Sequence, residues 1–85
     1  MLQEQVDYIS EYWFNMNGAF ELTDVGRGKV VLLLKQFTLQ EILDAIDIAI
    51  VRYYKGNKRS AGFTFDKIGG ICYNRRHQIT GKEGD

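Results

Sequence analysis

The sequence predicts an all-α fold, a compact bundle of four helices joined by short loops. Apolar residues recur at three- and four-residue spacing in successive segments, and two of these segments open on side chains suited to helix capping. The one strand-like run, Val30 to Leu34, has no second run to pair with, and a lone strand leaves its backbone groups unsatisfied.

In the first element Val6, Ile9, Trp13 and Met16 fall on one helical face, and Asn17-Gly18 supplies a left-handed stop; the expected helix is 3–16. Thr23-Asp24 then caps a second helix at 24–36, against which Gly26 and Gly28 count about 1 kcal/mol each relative to Ala. The third helix, at 38–55, opens on the capping box Thr38-Leu39-Gln40-Glu41. Its stripe runs through Leu39, Ile42, Leu43, Ile46, Ala49, Ile50 and Tyr53. Ile48 and Val51 lie off that stripe, which predicts a central helix with neighbours on two faces. Gly56-Asn57 ends it, after Arg52 and Lys55 in a last turn that favours cations.

Residues 56–63 read as a polar, basic loop, and a fourth helix is expected at 64–76 with Phe65, Ile68, Ile71 and Cys72 facing inward. Gly69-Gly70 within it predicts close approach of another backbone. Residues 1–78 are expected to form a single helical domain and 79–85 a disordered tail.

The chain has 85 residues, 45% hydrophobic and 26% charged, which is ordinary globular composition for one small domain. It contains no proline and a single cysteine, Cys72, so an internal disulfide framework and a four-cysteine zinc site are excluded. Without a membrane-length apolar run or a signal-peptide pattern, the expected location is the cytoplasm. Stability of about 4–13 kcal/mol at this length leaves little margin for a deep polar cavity. A binding or interaction module is expected rather than an enzyme.

Catalytic motifs are scarce, and no catalytic residue, metal site or cofactor is assigned. His77 is the only histidine and lies beside Arg75 and Arg76, whose positive field disfavours a metal. Cys72 falls on the apolar face of its helix and behaves as a small hydrophobe. Glu41, Asp44 and Asp47 share one helix face, a spacing that suits a divalent cation or a solvated surface. Gly26-Arg27-Gly28-Lys29 lacks the spacing and the preceding strand of a phosphate-binding loop.

Charge is unevenly spread. Residues 1–48 carry eight acids and three bases, a balance of −5; residues 49–85 carry eight bases and three acids, a balance of +5. The chain is therefore neutral yet polarised. The basic half places Arg52, Lys55, Lys58, Arg59, Lys67, Arg75 and Arg76 as candidate phosphate contacts, with Tyr54 and Tyr73 as candidate stacking residues.

Residues 41–49, Glu-Ile-Leu-Asp-Ala-Ile-Asp-Ile-Ala, are followed one loop later by residues 67–76, Lys-Ile-Gly-Gly-Ile-Cys-Tyr-Asn-Arg-Arg. Upstream stand Tyr12-Trp13 and residues 22–27, Leu-Thr-Asp-Val-Gly-Arg. In this order and spacing, roughly residues 5–76 resemble the helical region C-terminal to the nuclease module of some phage and bacterial HNH endonucleases. The catalytic histidines of that module have no counterpart here, so the resemblance implies an accessory domain. Ile68, Ile71 and Cys72 are similar to part of the C-terminal helical domain of DnaD-like replication proteins, although Lys67 stands where that family has an aromatic and no Trp follows.

Both resemblances imply work on DNA. The expected function is a non-catalytic accessory domain that binds the DNA backbone non-specifically through its basic half. The alternative is a protein-interaction or self-association module, in which the acidic face of the third helix meets the basic half of another copy or a nuclease module.

Overall fold

Among the described residues five helices follow one another: α1 (Leu2–Asn17), α2 (Asp24–Leu34), α3 (Leu39–Tyr53), α4 (Lys58–Asp66) and α5 (Ile68–Gly81). The structure, a computed structural model, describes the backbone of residues 2–81 and the side chains of residues 2–77. Among these residues there is no strand, and the expected all-α bundle forms.

The start signals of α2 and α3 act as the sequence implies. Thr23 Oγ1 accepts from Gly26 N at 3.1 Å, and Thr38 Oγ1 accepts from Glu41 N at 3.2 Å while Glu41 Oε1 accepts from Thr38 N at 2.8 Å. The core is built around α3, whose Ile42, Ala45, Ile46 and Ala49 have no exposed surface. It packs on α1, α4 and α5 and touches α2. Val6, Ile9 and Trp13 of α1, Val30 of α2, Ala61 and Phe65 of α4, and Ile68, Ile71 and Cys72 of α5 complete the interior. The extents of 40 × 32 × 17 Å describe a slab about two helices thick.

Several expectations need correction. The basic segment 56–63 is not a loop: α4 begins at Lys58, and Lys67 interrupts the last helical stretch to leave two helices. A second capping box starts α4, because Asn57 Oδ1 accepts from Ser60 N at 2.8 Å and Ser60 Oγ accepts from Asn57 N at 3.4 Å. The helix α5 runs to Gly81, past the expected domain limit at 78; the rest of the expected tail, 82–85, lies outside the described residues.

Met16 is exposed, and Asn17 takes the buried position at that end of α1. Its side chain staples the following loop, donating to Trp13 O at 2.6 Å and Phe20 O at 3.0 Å and accepting from Ala19 N and Phe20 N at 2.9 and 2.6 Å. The left-handed residue is Gly18, at φ +78°.

The helix α3 is central, but not through its second apolar face, since Val51 is 84% exposed and Ile48 half-buried. Nor does Gly69-Gly70 admit a second backbone. A Cβ on Gly69 would meet only the Leu33 side chain, at 3.5 Å, and one on Gly70 nothing within 4 Å.

Candidate nucleic-acid interface

Apart from Lys35, exposed at the end of α2, the cations of the described residues fall into two groups. The first is held by partners within the molecule. Arg27 pairs with Asp7 and donates to Ser10 Oγ at 3.0 Å, while Lys29 Nζ pairs with Asp66 at 2.9 Å. Arg75 reaches Asp44 at 4.0 Å.

Arg76 donates to Glu41 through Nη2 at 2.5 Å and Nε at 3.2 Å, and to Gln36 O at 2.7 Å. Its guanidinium also lies 4.8 Å from the centre of the Phe37 ring. Lys67 Nζ sits over two rings, 4.7 Å from the Phe63 centroid and 5.5 Å from that of Tyr53.

Of the seven residues expected to contact phosphate, then, Lys67 and Arg76 are engaged inside the chain, and Arg75, half-exposed, approaches Asp44 without a hydrogen bond. Arg75 and Arg76 are not at a helix end either. They lie within α5, which continues to Gly81, and face the acids of α3.

The second group is Arg52, Lys55, Lys58 and Arg59. All four are exposed, and none has a carboxylate partner among the described residues. The α3–α4 corner gathers them. Arg52 stands in the last turn of α3; Tyr54 caps that helix in extended conformation, its N–H donating to Ile50 O at 3.2 Å. Gly56 at φ +85° then reverses the chain, a conformation disfavoured for a residue with a Cβ.

Ser60 closes the corner from inside. Its Oγ accepts from Lys55 N at 2.9 Å and donates to Asn57 O at 3.0 Å. The turn is thus held by its own backbone and two small polar side chains, and the side chains of the four cations take no part in those bonds.

Two of them defy local electrostatics. Lys58 and Arg59 occupy the first turn of α4, where the positive end of the helix dipole disfavours cations and favours acids. No acid occurs anywhere in residues 48–65. The corner therefore adds a helix N-terminus to four cations without an ion-pair partner among the described residues, an arrangement suited to an anion, although Lys58 also lines a hollow with Glu21 and Asp66.

The expected stacking residues are not alike. Tyr54 is half-buried against the core, which leaves its ring little face for a base. Tyr73 is exposed on α5, its ring tilted 39° against His77 with centroids 4.1 Å apart. An exposed ring that sequence reasoning did not select is Phe63, on α4 and edge-on to Tyr53 at 5.6 Å. A loop over that segment hides it; the signal for a helix is Asn57 followed at three residues by Ser60.

The acids of α3 go to separate partners. Glu41 takes Arg76, Asp44 takes Gln40 and Arg75, and Asp47 accepts from the Tyr12 hydroxyl at 2.6 Å. That bond to Asp47, with burial, pushes the Tyr12 hydroxyl up to about 12. Burial, then the Glu41 charge, pushes the Cys72 thiol up to about 11, far from a reactive thiolate. Among the described residues no group of three or more His, Cys, Asp or Glu is placed to hold a metal ion. No described helix is long and apolar enough to cross a membrane.

No family model, curated protein or solved structure matches the chain.

Proposed function

We propose that this chain is a non-catalytic accessory domain of a DNA-processing protein that grips the DNA backbone at the α3–α4 corner. Arg52, Lys55, Lys58 and Arg59 contact phosphates there, and the α4 N-terminus adds its own positive end. The observation that carries this reading is the pairing pattern. Arg27, Lys29, Arg75 and Arg76 all have acidic partners in the chain, whereas these four adjacent cations have none among the described residues. Phosphate contacts of this kind position a protein without reading sequence. The connection to HNH endonucleases rests on the sequence resemblance alone. Head-to-tail association through the acidic face of α3 is less favoured, because Glu41 and Asp44 already pair with Arg76 and Arg75.

Fluorescence anisotropy of labelled duplex and single-stranded oligonucleotides tests the proposal. Four phosphate contacts on a duplex give a salt slope near −0.9 each, so affinity falls roughly a hundredfold between about 50 and 200 mM salt. Replacing Lys58 and Arg59 by Gln lowers the slope by about two contacts, whereas Arg75→Ala leaves it nearly unchanged. Absence of binding at tens of micromolar protein in low salt overturns the reading.

A further inference from the structure

The helix α2 is apolar on more sides than the bundle covers. Only Gly26 and Val30 are buried, while Val25 and Leu32, on the opposite face, are 70% and 57% exposed. Gly28 lies between them on that face, and a Cβ placed there would meet nothing within 4 Å. Val25, Gly28 and Leu32 thus form an outward stripe at three- and four-residue spacing, with its smallest residue in the middle.

We propose that this face is the contact through which two copies of the chain form a two-fold symmetric dimer, their α2 helices antiparallel and crossing beside Gly28. The spacing is self-complementary. Val25 and Leu32 are equidistant from a crossing point between Gly28 and Lys29, so each copy's Val25 meets the other's Leu32.

Charge fits the same register. Asp24 and Lys35 are exposed on one flank of the stripe, and neither has a charged partner among the described residues. A two-fold axis perpendicular to the helices keeps residues of one flank together, so Asp24 of each copy lies beside Lys35 of the other. Lys29, on the other flank near the crossing, is already neutralised by Asp66 at 2.9 Å.

The neighbouring surface has room for the incoming side chains. One hollow beside Val25 is lined by Phe20, Leu22 and Phe65 together with Glu21 and Lys58, and a second, beside Leu32, by Leu33, Phe65 and Gly69; the Lys29–Asp66 pair borders both. In the antiparallel register the second copy's Leu32 reaches the first hollow and its Val25 the second.

Sedimentation equilibrium of the full chain, from about 10 µM to about 1 mM, measures the association. A concentration-dependent rise toward the dimer mass is expected, with Leu32→Glu weakening it at least roughly tenfold by placing a charge on the apolar contact. Gly28→Ala is the control for folding: it raises the melting temperature, because Ala favours helix, and still weakens the dimer by holding the backbones apart.

The register is tested by Asp24→Lys and Lys35→Glu. Each alone weakens self-association, and an equimolar mixture of the two re-forms dimers, because both cross-pairs are then opposite in charge. Monomer mass throughout the range overturns the proposal. So does a dimer indifferent to Leu32→Glu, or a mixture that associates no better than its components.

Discussion

The Glu41 carboxylate binds the Arg76 guanidinium from α5 and the Thr38 backbone N–H at the start of its own helix, at 2.5 Å and 2.8 Å on the same oxygen. One acid thereby caps α3 and ties it to α5, two helices whose contact residues are 35 positions apart in the chain. An arginine that reads in sequence as a phosphate contact is a fastener in the fold.

This link contributes to the acid stability of the domain, as does the Arg27–Asp7 pair, in which the guanidinium likewise holds the carboxyl low. The Arg76 guanidinium first, then the Thr38 N–H, hold the Glu41 carboxyl below its ordinary value of 4.5. A carboxyl lowered in the folded state gives stability that is present above pH 4.5 and is lost as pH falls through the folded value. Thermal melts from pH 7 to about pH 3 are expected to show a falling melting temperature below about pH 5. Arg76→Ala lowers the melting temperature at neutral pH and shrinks that acid limb. A limb of equal size in the variant refutes the assignment to this pair.

The Tyr12–Asp47 bond acts at the other end of the pH scale. A phenol raised to about 12 from 10.0 gives stability fully present below pH 10 and lost as pH rises through 12. Ultraviolet titration is expected to show one of the five tyrosines ionising late, and Tyr12→Phe to abolish that late step. The loss of this partly exposed bond costs about 1 kcal/mol at pH 7.

Asn17 is a third point of leverage. Asn17→Ala strands the loop amides of Ala19 and Phe20 and is expected to cost about 2 kcal/mol. Asn17→Asp keeps those two acceptor bonds and removes the donors to Trp13 O and Phe20 O, so urea denaturation ranks it between wild type and Ala at neutral pH.

Lys58 and Arg59 link stability to function. Since both oppose the α4 dipole, Lys58→Glu with Arg59→Glu is expected to raise stability by about 0.5–1 kcal/mol in low salt. The same change removes two phosphate contacts and adds repulsion, so DNA affinity falls sharply. A pair of melts and anisotropy titrations reads both effects, and a destabilised variant contradicts the account of the corner.

Ile46→Ala probes the core. With no exposed surface at the centre of α3, this deletion is expected to cost about 2–5 kcal/mol, a large share of what so small a domain holds. The denaturation midpoint falls while the denaturant slope stays constant.

The local code carried much of this fold. Periodicity placed α1, α2 and α3 close to their observed limits, and Thr23 and Thr38 marked two helix starts, because a cap depends on residues within one turn of each other. The same code hid α4: its start is Asn57 and Ser60 rather than a Thr and a Glu, its body is mostly polar, and Gly62 weakens its propensity.

What sequence alone determined is the composition of the charge: a neutral, polarised chain whose residues 48–65 carry cations and no acids. Which of those cations face solvent without a partner was decided by tertiary structure. Arg76 and Glu41 are brought together only when α5 folds back across α3, and a contact between such distant positions leaves no mark in local spacing. The exposure of Val25, Leu32 and Val51 was settled in the same way. An apolar side chain is written identically whether or not another helix arrives to cover it, and here the helices that bury Val30 and Ile46 leave those three faces to solvent.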